Sequence, residues 1–177
     1  MDLLSKAISG DIDAFETLIL QYEKLIYNIA LRIMGNDEDA KDMSQEAIIK
    51  IYRNLASCTG IEYMKAWAAK ITHNTCLDEL RRRKGKFADS YDDVIVIDPT
   101  DGPEALFLRK EFGKLIEEGL NRLSARHRAL IVLRDVQGMT YEEIADITAA
   151  PLGTVKSRLS RARNILKMVL TEMMEQK

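Results

Sequence analysis

The sequence predicts an all-α protein built as two small helical domains joined by an extended linker. Three observations predict it. Apolar residues recur at helical spacing through almost the whole chain. The 177 residues include only three prolines and nine glycines, so turns are few. The helical pattern lapses once, from Gly85 to Pro103, where Asp98-Pro99 and Gly102-Pro103 bias the backbone away from helix. These features set domains at 1–86 and 105–177, with an acidic linker at 87–104.

The first long helix is expected over Ala14 to Met34, with Phe15, Leu18, Ile19, Tyr22, Leu25, Ile26, Ile29 and Ile33 on its buried side. Asp13 and Glu16 have the spacing of an N-terminal cap, and Gly35-Asn36 tolerates the left-handed backbone that ends helices. A second helix starts at Asp37, and Ala40, Met43, Ala47, Ile48, Ile51, Tyr52 and Leu55 form its apolar stripe. Ser57 to Gly60 is a loop. A third helix covers about Glu62 to Lys84, with Met64, Trp67, Ala68 and Ile71 on one face and Leu77 and Leu80 extending it. Within the linker, Val94 to Ile97 is a short apolar run that has no partner strand elsewhere in the chain. Helix resumes after Glu104 through Phe112, Leu115, Ile116, Leu120 and Leu123, and another is expected over Ala125 to Asp135.

No stretch reaches the roughly 18 to 20 apolar residues of a membrane span, and the N-terminus lacks the pattern of a secretory signal. Cys58 and Cys76 give neither a disulfide framework nor repeated metal-ligand spacing. His73 and Cys76 make half a metal site at most, so no metal or other cofactor is expected. A cytoplasmic chain with reduced cysteines fits these features. The net charge of −2 says little, but its distribution says more. Acidic excess over 1–60 and 91–119 alternates with basic excess over 61–90 and 120–177. Such blocks give a free chain a reason to close on itself through salt-sensitive contacts.

Thr140 to Leu166 has the spacing of a helix-turn-helix. Thr140 caps the first helix with Glu143 at the capping-box position, and Ala145 falls where two helices crowd. The turn is Thr148 to Pro151, and Val155 falls where the second helix buries an apolar residue. On the wheel of that helix, Val155, Leu159, Ala162 and Leu166 gather on one side. Lys156, Ser157, Ser160, Arg161 and Asn164 gather on the other, with Arg158 and Arg163 on the flanks. No carboxylate falls between Gly153 and Lys167. Basic and small polar groups in that arrangement reach base edges in a groove about 12 Å wide. Thr154, Arg158 and Arg163 are placed for phosphates.

Three segments carry a family resemblance. Leu123 to Arg163, which contains LSARHRALIVLRDVQG, MTYEEIAD and GTVKSRLSRAR, resembles the promoter-reading domain of the extracytoplasmic-function (ECF) group of bacterial RNA polymerase sigma factors. WAAKITHNTCLDELRRRKG (Trp67 to Gly85) resembles that family's promoter-melting segment, and DEDAKDMSQEAIIKIYRNL (Asp37 to Leu55) its polymerase-docking helix. The resemblance implies that Lys156, Ser157, Ser160 and Arg161 contact bases of an upstream promoter element. It implies that Lys70, Asn74, Arg81, Arg82, Arg83 and Lys84 approach the downstream element, with the loop Ser57 to Glu62 capturing a flipped base. Asp42, Gln45, Glu46 and the exposed Ile49 would then meet core RNA polymerase. Promoter DNA, core polymerase and an anti-sigma factor are the implied partners. The chain departs from the family pattern at Thr148, where an apolar residue is common, and at Ala149, where glycine is.

The main alternative is a dimeric helix-turn-helix regulator with an N-terminal receiver. Receivers alternate strands and helices, and the N-terminal half shows no strands. An enzyme using the motif for targeting would need a phosphate loop, a metal cluster or a nucleophile motif, and none is present. The chain is therefore expected to bind rather than to catalyse. A protein that binds polymerase without reading DNA would present a neutral face around Lys156, and this one does not.

Overall fold

The computed structural model describes residues 2–84 and 107–175. The linker expected over 87–104, with its Val94 to Ile97 run, lies outside the described residues. Every regular element among the described residues is helical. A short helix, α1 (Leu3–Ile8), precedes the first expected one. Asp2 caps it, accepting from Ser5 N–H at 2.7 Å, and Leu4 and Ala7 bury its inner side. The next helix, α2 (Ile12–Met34), begins earlier than its predicted cap. Asp11, not Asp13, has the extended backbone and accepts from Ala14 N–H at 3.0 Å. Asp13 lies inside the first turn, where its charge favours the helix dipole. Gly35 ends α2 at φ +85°, its N–H reaching Leu31 O at 2.8 Å.

Asn36 caps α3 (Asp37–Arg53), and two 3-10 turns, Leu55–Ser57 and Ile61–Tyr63, carry the loop that leads into α4 (Met64–Lys84). The C-terminal unit comprises α5 (Phe107–Asn121), α6 (Ala125–Ile131), α7 (Tyr141–Thr148) and α8 (Leu152–Glu175). Past Ile131, α6 widens into a π-helical turn, Val132–Val136, so the helix expected to Asp135 ends in a different winding.

Two apolar cores result. One belongs to the N-terminal bundle, where Leu18, Ile26, Ile51 and Met64 are fully buried among α1 to α4. The other is shared by the two units: Ile29, Ile33, Ala69, Cys76 and Leu77 pack with Leu120, Leu123, Leu130, Ile144 and Ile147. Burial of each large side chain contributes about 1.5 to 3 kcal/mol, so apolar packing holds the units together. The alternating charge blocks suggested salt-sensitive closure; most of the acidic block 91–119 lies outside the described residues, and among the described ones the contact is apolar. The polar crossings described are an exposed Arg32–Glu117 pair at 3.9 Å and Lys65 Nζ donating to Gln137 O at 3.3 Å.

The double core explains α4. Its apolar residues do not form one stripe, because two neighbours demand two. Met64, Ala68 and Ile71 face the N-terminal core, while Ala69, Cys76, Leu77 and Leu80 face the shared one. His73 lies between Ala69 and Leu77 in the second set and is buried, which lowers its pKa. Burial pushes the Cys76 thiol up to about 12.

Arg128 is the costly residue of the shared interface. It is 9% exposed, and its Nη1 donates to Asn121 Oδ1 at 2.8 Å while its Nε has no partner. The guanidinium sits beside Gly35, at the C-terminal end of α2, where the helix dipole favours a cation.

Candidate nucleic-acid interface

The C-terminal site starts from its turn. Thr140 and Glu143 form the predicted capping box: the Thr140 hydroxyl accepts from Glu143 N–H at 3.1 Å, and Glu143 Oε2 accepts from Thr140 N–H at 2.7 Å. Thr148 donates its hydroxyl back to Ile144 O at 2.7 Å, and Ala149 closes α7 in the left-handed region, φ +49° and ψ +42°. On α8, Val155, Leu159 and Ala162 are buried as the wheel requires. Lys156, Ser157, Arg158, Ser160, Arg161 and Arg163 are exposed, and Thr154 is half-buried. The polar face is continuous, and closure of the two units leaves it uncovered.

Arg163 is not idle on its flank. It makes a two-pronged ion pair with Asp135 of the π-helical turn, Nε to Oδ2 at 3.0 Å. The neighbouring Arg134 donates to Met139 O at 2.6 Å, and its guanidinium carbon lies 4.7 Å from the centre of the Tyr141 ring. Lys156 Nζ lies 5.7 Å from the same ring centre.

In the N-terminal unit, Lys70, Asn74 and Arg81 share one exposed stripe of α4. Asn74 Oδ1 also lies 3.0 Å from His73 Nδ1. Trp67 is half-buried against the N-terminal core, as expected of a packing residue. The arginines are engaged with carboxylates: Arg81 with Asp78 at 2.9 Å and Arg82 with Glu79 through two bonds of 2.7 Å. Arg83 lies away from the Lys70 stripe. It reaches Glu79 at 2.7 Å and forks onto Asp39 of α3 at 2.6 and 2.7 Å. These bonds hold the carboxyls of Asp39 and Glu79 down at about 2. Lys84 closes the helix.

Asp42, Gln45, Glu46 and Ile49 are exposed on α3, Ile49 at 44%. They line one side of a groove of about 520 Å³ whose other side is Thr75, Asp78, Glu79 and Arg82 of α4. Lys50 crosses its floor, 3.4 Å from both Glu46 and Thr75. The groove is acidic with an apolar point, a surface that fits a basic helical partner.

Residues 18–86 match the family described as Sigma-70 region 2, and residues 113–166 match Sigma-70, region 4. The chain is similar to the ECF RNA polymerase sigma factor SigW of Bacillus subtilis, 31% identical over 93% of this chain and 92% of that one. The chain belongs to the ECF sigma factors. The RNA polymerase sigma-H factor of Pseudomonas aeruginosa is 29% identical over 98% of this chain and 95% of its own. Among solved structures, the sigma factor RpoE of Bartonella quintana, crystallised with the anti-sigma factor NepR, superposes at a TM-score of 0.66. It is 27% identical, and the match covers 89% of this chain and 96% of that one.

Sequence reasoning about this sigma factor missed Arg134, Asp135 and Tyr141. They precede the start of the recognition helix at Leu152 by 11 to 18 residues, and a π-helical turn has no simple sequence signature. The one available signal was Arg134-Asp135 ahead of Gly138 and a capping box, which marks a charged helix end beside the motif. Among the described residues no cluster of His, Cys, Asp and Glu could hold a metal ion, and no helix is long and apolar enough to cross a membrane.

Proposed function

We propose that this sigma factor acts by binding alone, in the cytoplasm, through three surfaces. Residues 1–86 form the polymerase-docking and downstream-element domain, 87–104 the linker, and 105–177 the upstream-element domain. The α3 surface of Asp42, Gln45, Glu46 and Ile49 docks on core RNA polymerase. Lys156, Ser157, Ser160 and Arg161 read the upstream element in the major groove, while Thr154, Arg158 and Arg163 sit over phosphates. Lys70, Asn74 and Arg81 follow the opened downstream strand, Arg82 and Arg83 contribute from off that stripe and Lys84 from the end of α4, and the Ser57 to Glu62 loop holds an unstacked base. An anti-sigma factor is the regulatory partner.

The observation that carries this reading is the exposed polar face of α8 over residues 153–167, which holds no carboxylate. A surface helix with no nucleic-acid partner has no reason to exclude acidic residues for so long. Both domains must engage at once, and linking two weak sites raises avidity only if the linker spans them. Eighteen residues reach at most about 60 to 65 Å.

Run-off transcription with purified core polymerase on a promoter library tests the proposal. Transcripts that depend on the protein, from templates sharing two spaced motifs, support it. Binding to a palindromic duplex without polymerase would refute it in favour of a dimeric regulator.

A further inference from the structure

Long basic side chains bind DNA poorly when they are free to rotate, because ordering them costs entropy at the moment of binding. A protein can hold them in advance in two ways. A carboxylate fixes a cation but also cancels its charge. An aromatic ring fixes it through the quadrupole of its face and leaves the charge available. This sigma factor uses the first device on α4, where Arg81, Arg82 and Arg83 are tied to Asp78, Glu79 and Asp39. Beside α8 it uses the second.

We propose that Tyr141 is a positioning residue of the upstream-element interface, presetting Lys156 for base contact and Arg134 as a further phosphate contact. Its ring lies 4.7 Å from the Arg134 guanidinium carbon and 5.7 Å from Lys156 Nζ, within the range of attraction to a ring face. The ring itself is fixed. Tyr141 is the first residue of α7, inside the Thr140–Glu143 capping box, and it packs partly buried against the shared core. Arg134 is held from its other side by the Met139 carbonyl, an acceptor that leaves the guanidinium charge intact.

The cluster has an unbalanced charge that points to its ligand. Arg134 and Lys156 lie over one ring and Arg163 hydrogen-bonds to the same tyrosine, and among the described ion pairs the carboxylate on these three is Asp135, on Arg163. Two cations held near one ring repel each other until an anion lies beside them. A backbone phosphate next to the base that Lys156 reads supplies that anion. The π-helical turn serves the same end, since it brings Arg134 towards Tyr141 and Asp135 towards Arg163 from consecutive positions.

This inference rests on α8 reading the upstream element, so the test separates the two. Wild-type holoenzyme, reconstituted with core polymerase, first selects a promoter from a randomised library. Binding to that promoter is then measured against salt for wild type, Tyr141→Leu, Tyr141→Phe and Arg134→Gln, with the melting temperature of each free protein. Tyr141→Leu is expected to lose about tenfold in affinity and to flatten the dependence of log K on log salt, with melting little changed. Tyr141→Phe, which keeps the ring, recovers most of the affinity. Arg134→Gln lowers the salt slope by about one and weakens all promoter variants alike. Tyr141→Leu with wild-type affinity and slope overturns the positioning role, and so does Tyr141→Phe failing as badly as Tyr141→Leu. An unchanged slope in Arg134→Gln removes the added phosphate contact. A wild type that selects no upstream motif refutes the underlying reading instead.

Discussion

Ala149 should be a better glycine than alanine, and the structure allows the size of the effect to be worked out. Its φ of +49° and ψ of +42° place an L-residue with a Cβ in the left-handed region, at the C-terminal cap of α7. That conformation costs an alanine about 1 to 2 kcal/mol. Glycine avoids the cost but brings a more flexible unfolded chain, worth about 0.4 to 1 kcal/mol against it. The alanine methyl is exposed, so its loss removes almost no burial. The balance favours Ala149→Gly by about 0.5 to 1 kcal/mol, which for a chain of this size raises the melting temperature by about 1 to 4 °C. Urea unfolding followed by far-ultraviolet circular dichroism should show a higher midpoint with an unchanged slope. Asn at this position should fall between Gly and Ala, and Val should be worse than Ala. A midpoint at or below wild type for Ala149→Gly, or Val equal to Ala, would refute the argument that this turn carries backbone strain.

Asp39, held at about 2 by its Arg83 fork, stabilises the protein fully above the usual carboxylate range and ceases to do so as pH falls through 2. Asp39→Asn should therefore be less stable than wild type at pH 5, and the two urea midpoints should converge near pH 2. Gly35→Ala adds a Cβ 2.8 Å from Asn121 Oδ1 at a φ of +85°, and should destabilise by about 2 kcal/mol in urea titration. Closure through apolar residues makes the radius of gyration from small-angle scattering the same at low and high salt; expansion on adding salt would restore the charge explanation. Lys156→Ala and Arg161→Ala should each lose about 1 to 3 kcal/mol of sequence discrimination in holoenzyme binding to promoter variants, and equal binding to all variants would remove that residue from the base-contact set.

What could be read from the sequence was whatever one neighbour imposes. The stripes of α2 and α3 and the two faces of α8 arise from a single buried side each, and periodicity reports that directly. Helix α2 meets the two cores one after the other along a single side, but α4 meets them on two sides, so its apolar residues lie around most of its circumference and no single stripe exists to find. The short α1 buries little more than Leu4 and Ala7, too few positions to establish a period. Asp11 and Asp13 are chemically identical as caps, and only the backbone distinguishes them. The partners of the site's cations stayed hidden for a related reason. Asp39 lies 44 residues from Arg83 and Asp135 lies 28 from Arg163, separations at which spacing carries no information.

The two basic regions differ in composition, since α4 carries Asp78 and Glu79 while α8 has no carboxylate over 153–167, and their surroundings widen the difference. On α4 the arginines face carboxylates of their own unit, so any phosphate they meet must first displace Asp78, Glu79 or Asp39. An exposed ion pair of this kind is worth about 0.2 to 1 kcal/mol, a small cost per contact. Around α8, Arg134 and Lys156 are held without a carboxylate, so their charge is available to an intact duplex from the start. Arg163, forked onto Asp135, is the exception on α8, its charge cancelled as on α4.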